Sequence, residues 1–285
     1  MDALPLPGPL VTVDWLAGHL DHPGLLLLDA SVGPARGTLP PLPGARTFDI
    51  DGELSDHRSP LPHTMPDAER FQTAMRALGL DDTGTVVVYD NNGIYSSARA
   101  WWMLRAMGFD RAAVLDGGRP AWTAAGLPDG TPAGTSVPQA PAPGDFTARP
   151  RPHLLVDADT VAAALTDPAA AVLDARTRER FTGQAPEPRP GLRGGHMPGS
   201  RSLPFAELQH PDGRMLPAAE LRTRIADRAD GRDRLVTSCG SGVTACVLAL
   251  GATLAGYSDV TVYDGSWSEW GLPSSRPVAT IGHTH

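Results

Sequence analysis

The chain contains two cysteines, Cys239 and Cys246, in different local settings. Cys239 lies in LVTSCGSGVTAC, which reads as a strand, a tight loop and the start of a helix. Gly240 and Gly242 permit positive φ and present no Cβ, so successive N–H groups can turn inward. Those groups, with Val243 and Thr244 closing the loop and the N-terminus of the next helix behind it, are expected to form a positive cradle beside the sulfur. A cysteine there is expected to act as a thiolate nucleophile, and the cradle can hold a persulfide anion. A buried structural cysteine is the plainer alternative, but it needs no glycine-flanked loop. Cys246, read as two turns into the helix between Ala245 and Val247, is expected to be a core residue. Seven positions apart and with no CxxC, the two cysteines suit neither a disulfide framework nor a zinc site. No metal and no organic cofactor is implied. Phosphate chemistry on such a loop needs an arginine six residues after the cysteine, and that position is Ala245.

The elements that must position this loop are written twice. LLLLDAS closes on Asp29, and AVLDART places Asp174 alike. A P-G-[AS]-R segment follows each, at Pro43–Arg46 and Pro198–Arg201. TVVVYDNNGIYSSARAWWML and RLVTSCGSGVTACVLALGAT match without a gap, setting Asp90 on Cys239, Gly93 on Gly242 and Ile94 on Val243. VLDGGRPAW and TVYDGSWSEW close the halves, with Asp116 and Trp122 matching Asp264 and Trp270. Repeated order and spacing of this kind mark a duplicated domain. Short apolar runs alternate with helical segments, such as AERFQTAMRALGL with Phe71, Met75 and Leu78 at helical spacing. The expected fold is therefore α/β, two domains each with a parallel sheet covered by helices on both faces. Cys239 and Asp90 fall at carboxyl ends of strands, where such sheets bind ligands. The expected division is a first domain over 1–127, a Pro/Gly-rich linker over 128–152 and a second domain over 153–285.

A length of 285 residues accommodates two domains, and 41% hydrophobic residues give each a core. The formal net charge of -8 argues against a nucleic-acid partner, which needs a basic face. The opening MDALPLPGPL has neither a basic n-region nor a long apolar run, and no stretch is apolar enough to span a membrane. A soluble, cytoplasmic protein is expected.

The Cys239–Ala245 motif CGSGVTA resembles the active-site loop of the mercaptopyruvate-using branch of the rhodanese family. The resemblance extends to FDIDGELSDHRSPLPHTMP, RFTGQAPEPRPG, GGHMPGS and YDGSWSEW, nearly the whole chain. It implies two tandem rhodanese-like domains, the first catalytically silent because Asp90 replaces the cysteine. Arg180 and Arg189 match two substrate-binding arginines, and a 2-oxo acid with its carboxylate and carbonyl suits two guanidinium groups. Arg176 and Arg178 are expected to be solvated surface charges, and Thr182 stands where the family often has a further arginine. Asp51, His63 and Ser241 match a proton-handling set, needed because sulfur abstraction from 3-mercaptopyruvate leaves an enolate. His196 belongs to a turn read as structural. The implied reaction moves sulfur from 3-mercaptopyruvate through a Cys239 persulfide to cyanide, a small thiol or reduced thioredoxin. A thiosulfate:cyanide reaction on the same cysteine, or a non-catalytic sulfur-carrier module, are the alternatives. The thiosulfate-preferring branch carries CRKGVT, whose charges Gly240 and Ser241 replace here.

Overall fold

The computed structural model describes residues 4–130 and 142–280. They fall into two compact units. The first comprises Met1–Asp56, Met65–Arg151 and Pro211–Met215, and the second His57–Thr64, Pro152–His210 and Leu216–His285. The short segments 57–64 and 211–215 thus group with the opposite half of the sequence, a feature without periodic signal.

In the first unit, β1 (Leu10–Val11), β2 (Leu25–Asp29), β3 (Arg46–Thr47), β4 (Thr85–Tyr89) and β5 (Ala112–Leu115) form a parallel sheet in the order β1-β5-β4-β2-β3. Its helices are α1 (Val13–Ala17), α2 (Ala68–Ala77), α3 (Ser97–Ala106) and α4 (Gly118–Ala124). The second unit repeats the order with β6 (Leu155–Val156), β7 (Ala170–Asp174), β8 (Arg201–Ser202), β9 (Arg234–Ser238) and β10 (Asp259–Tyr263), arranged β6-β10-β9-β7-β8. Its helices are α5 (Ala158–Ala164), α6 (Arg178–Thr182), α7 (Ala218–Ala229), α8 (Ala245–Leu254) and α9 (Ser266–Trp270). Central parallel strands covered on both faces must be apolar throughout. Residues 86–89 of β4 and 170–173 of β7 meet that demand, and every residue of both strands is buried, with Asp174 at the end of β7 paired to Arg176. Helix α8 is apolar all round, and Ala245 to Ala252 are buried.

The duplication holds at single hydrogen bonds. Ala30 N–H donates to Tyr89 O (2.8 Å), as Ala175 N–H does to Ser238 O (2.8 Å). Arg119 N–H donates to Asp90 O (3.0 Å), as Trp267 N–H does to Cys239 O (3.0 Å). Residues 131–141 of the expected linker lie outside the described residues. Its later part is attached to the first unit: Gly144 N–H donates to Arg76 O (2.8 Å) and Arg149 N–H to Met107 O (2.8 Å). Phe146 is buried edge-on against Phe71 and Phe109. One aromatic anchor in a stretch without apolar period is enough to dock it.

Candidate active site

Strand β9 ends at Ser238, and the loop 239–244 leads into α8. Cys239 is 1% exposed, its N–H donates to Ser266 Oγ (3.1 Å), and that hydroxyl lies 4.0 Å from Cys239 Sγ. Ser266 Oγ in turn donates to Tyr263 O (2.8 Å). Ser268 holds the next residue from the same side, with its N–H and hydroxyl both donating to Gly240 O (2.8 and 2.6 Å). The loop is therefore clamped by the start of α9. Ser266 adopts a φ of 48°, and its counterpart Gly118 in the first unit a φ of 53°. Ser266 and Ser268 were visible in YDGSWSEW, but serines carry no distinctive spacing signal.

The glycines divide the work differently from the sequence expectation. Gly242 has a φ of 74°, in the left-handed region that favours glycine, and its counterpart Gly93 a φ of 98°. Gly240 is not in that region. It is needed for space, since a Cβ there would stand 3.1 Å from Arg180 Nη2 and 3.9 Å from Arg189 Nη1. The two expected arginines thus meet at the loop, which has no cation of its own. Arg180 comes from α6, and Arg189 from the PEPRPG turn, with its Nη2 3.4 Å from Ser241 Oγ. Val243 and Thr244 are buried at the mouth of α8. Cys246 is in the first turn of α8, not two turns in, because the helix begins at Ala245; it is fully buried and its thiol donates to Gly242 O (3.2 Å).

His63 reaches this loop from the segment 57–64. Its Nδ1 lies 3.0 Å from Ser241 Oγ, and its backbone has a φ of 59°. Asp51 belongs to the first unit, where its carboxylate accepts from Gly33 N–H (2.7 Å). His196 stacks on Phe181 with ring centroids 3.9 Å apart, and its Nδ1 lies 2.9 Å from Phe181 O. That contact supports α6, consistent with a structural turn.

Arg176 is not the surface charge expected from its type. It is 2% exposed, and its guanidinium donates to both oxygens of Asp174, to Gly195 O (2.9 Å) and to Glu187 Oε1 (2.7 Å), while stacking 4.0 Å above the Trp267 ring. Burial acts to lower its pKa, but the attraction of Asp174 and Glu187 prevails and raises it. Arg178 remains exposed and pairs with Glu207 (2.6 Å), as a surface charge does. No cluster of three or more His, Cys, Asp or Glu suited to a metal occurs among the described residues.

The silent loop of the first unit shows what this backbone does with an anion. Asp90 is fully buried at the position of Cys239. Its Oδ2 accepts N–H bonds from Tyr95, Ser96 and Ser97 (2.9, 3.0 and 2.8 Å), and its Oδ1 one from Asn92 (2.9 Å). Burial pushes its pKa up against the opposing pull of those N–H groups. The ungapped match sets these donors on Thr244, Ala245, Cys246 and Ser241.

Comparison with known proteins agrees with this geometry. The rhodanese-like domain family matches residues 12–125 and again 157–272. A thiosulfate/3-mercaptopyruvate sulfurtransferase of Arabidopsis thaliana, a mitochondrial protein, is 39% identical over 96% of this chain and 78% of its own. The 3-mercaptopyruvate sulfurtransferase of Homo sapiens is 39% identical over 97% of each chain. The crystal structure of SseA from Escherichia coli, a 3-mercaptopyruvate sulfotransferase, superposes with a TM-score of 0.78 at 34% identity, covering 92% of this chain and all of that one. With two matched copies of the domain, one loop carrying an aspartate and the other a cysteine, the chain belongs to the rhodanese-like family as a tandem member.

Proposed function

We propose that the chain is a 3-mercaptopyruvate sulfurtransferase that carries sulfur as a Cys239 persulfide. The observation that carries this reading is the pair of loops. In Asp90 the carboxylate oxygens lie one bond beyond Cγ and take four N–H bonds. Cys239 puts Sγ at the Cγ position of the matched residue, so a second sulfur bonded to Sγ extends to where those oxygens stand. The N–H groups of Ser241, Thr244 and Ala245 are then the donors for a persulfide anion, at the positive end of α8.

In this reaction the Cys239 thiolate attacks the thiol sulfur of 3-mercaptopyruvate. The Cys239–sulfur bond forms, the carbon–sulfur bond breaks, and its electron pair stays with the carbon fragment as pyruvate enolate. A proton returned to that carbon gives pyruvate. Ser241, bonded to His63 Nδ1, is the group near the reacting sulfur that can pass this proton. Asp51 joins this set on the family resemblance. Arg180 and Arg189 bind the donor carboxylate and carbonyl beside Gly240. A thiophilic acceptor (cyanide, a small thiol or reduced thioredoxin) then removes the sulfur and restores the thiolate. The uncharged loop residues Gly240 and Ser241 favour this donor over the dianion thiosulfate. No described helix is long and apolar enough to cross a membrane, and a cytoplasmic location accords with two free, buried cysteines.

The test is intact-mass spectrometry after incubation with each donor. Wild-type protein should gain one sulfur from 3-mercaptopyruvate and release pyruvate. No gain would refute the reading, and a gain from thiosulfate alone would favour the thiosulfate:cyanide reaction.

A further inference from the structure

We infer that Arg176 and Glu187 are positioning residues that hold Arg180 against the catalytic loop. This inference rests on the reading of Arg180 as a ligand of the donor carboxylate. Four charged side chains form one ladder: Asp174 to Arg176, Arg176 to Glu187, and Glu187 to Arg180. Arg176 and Asp174 side chains are fully buried and Glu187 is 2% exposed, whereas Arg180 at the end of the ladder is 22% exposed. Glu187 faces two arginines at once, with Oε1 accepting from Arg176 Nη1 (2.7 Å) and Arg180 Nε (3.3 Å), and Oε2 from Arg180 Nη2 (2.5 Å). Fixing both the Nε and Nη2 edge leaves the Nη1 side of Arg180 for another ligand, 4.0 Å from a Cβ built on Gly240.

The comparison of the two units argues against mere space filling. Asp29 and Asp174 occupy the same register position, opposite Tyr89 and Ser238 respectively. Two residues beyond the aspartate stands Ser31 in the first unit and Arg176 in the second. Ser31 donates its hydroxyl to Asp29 Oδ1 (2.5 Å), whereas the Arg176 guanidinium spans Asp174 and Glu187. A buried ion pair rarely stabilises more than a well-packed apolar group of its size. The first unit shows that the fold does not require the cation at this place. What the second unit has in addition is the ladder to Arg180, and Ala35 stands at the position of Arg180 in the first.

Steady-state kinetics of the full chain test this. Glu187→Gln keeps the side-chain shape and removes the charge that bridges the arginines. It should raise KM for 3-mercaptopyruvate roughly tenfold while kcat stays within about threefold, as expected when a charged contact to bound donor is weakened. Arg176→Lys keeps a charge, but an ammonium cannot serve Asp174, Glu187 and Gly195 together, so KM should rise similarly. Once either variant is loaded with sulfur at saturating donor, discharge to cyanide in a single turnover should match the wild type, because that step does not use the donor carboxylate. Unchanged KM in Glu187→Gln would overturn the inference. So would a parallel loss of donor use and persulfide discharge, which marks general disruption. If wild-type protein takes no sulfur from 3-mercaptopyruvate, the functional reading itself fails, a result these variants cannot mimic.

Discussion

At the scale of single residues, Cys239 and Cys246 have opposite expectations. Cys239 sits at a strand end with two arginines beside its loop, whereas Cys246 is packed in the first turn of α8. Cys239→Ser should abolish sulfur loading, and Cys246→Ser should retain most of it. A sulfur adduct on Cys239→Ser, seen by intact mass, would reassign the nucleophile. Arg180 and Arg189 differ in their support. Arg180 is fixed by Glu187, while Arg189 contacts Ser241 at 3.4 Å. Each is expected to supply a charged hydrogen bond of about 1.5–3 kcal/mol to the donor, so either alanine variant should lower kcat/KM about 10- to 100-fold. Equal kinetics in wild type and both variants would return them to the surface. Gly240→Ala gives a separate check on Arg180. The added Cβ lies 3.1 Å from Nη2, so Arg180 must give way and KM for the donor should rise. The same contact bears on any attempt to import the charged CRKGVT loop: an arginine at position 240 meets Arg180 before it meets a substrate.

At the scale of the element, the unit of design is the strand–loop–helix turn, used twice. In β4–α3 the loop is closed by Asp90, whose carboxylate accepts from four N–H groups, those of Ser96 and Ser97 being buried. Removing that acceptor leaves the buried Ser96 and Ser97 donors without it, each costing about 1–3 kcal/mol, and two part-buried donors besides. Asp90→Ala should therefore destabilise the protein by more than about 3 kcal/mol, a large effect for one substitution. Asp90→Asn should cost less, as its amide retains one acceptor oxygen for the bonds now on Oδ2. Denaturant unfolding followed by tryptophan fluorescence measures both, and near-equal stability of Asp90→Ala and wild type would remove the carboxylate from this role. In β9–α8 the same turn is held from outside by Ser266 and Ser268 rather than by an internal carboxylate. That arrangement leaves the inward N–H groups available to chemistry at sulfur.

At the scale of the whole molecule, the two units share topology and the strand–loop–helix turn but not the arginines proposed to recognise a donor. Ala35 and Ser31 stand where the second unit has Arg180 and Arg176. A cysteine restored at position 90 would have a cradle but no arginine ladder. The double variant Asp90→Cys with Cys239→Ser is thus expected to gain no sulfur from 3-mercaptopyruvate, and a full adduct on it would show that the arginines are dispensable. The net charge of -8 is a property of the molecule as a whole. It coexists with a local cationic site because charge at the reacting sulfur is set by the few groups within reach, not by the total.

The sequence alone determined the α/β class, the duplication and the identity of the loop, because each is written in contiguous residues. Apolar runs such as TVVVY and AAVLD specify central parallel strands, and CGSGVTA is a single local turn. Arg180 and Arg189 were legible through RFTGQAPEPRPG, and both lie beside Gly240. Only the tertiary structure decided how far each residue is from water. Arg176 and Arg178 are two residues apart and alike in sequence, yet one is buried under Trp267 and the other exposed beside Glu207. The difference comes from Asp174 and Glu187, eleven residues of chain away from Arg176 in the latter case. The same holds for Gly240, whose need for a missing Cβ comes from the Arg180 side chain rather than from its own φ. The start of α8 at Ala245 and the clamp by Ser266 were likewise set by packing across strands. Partners brought together by the fold leave no periodic trace in the chain, so a residue's type names the chemistry it can do while its neighbours in space decide whether it does it.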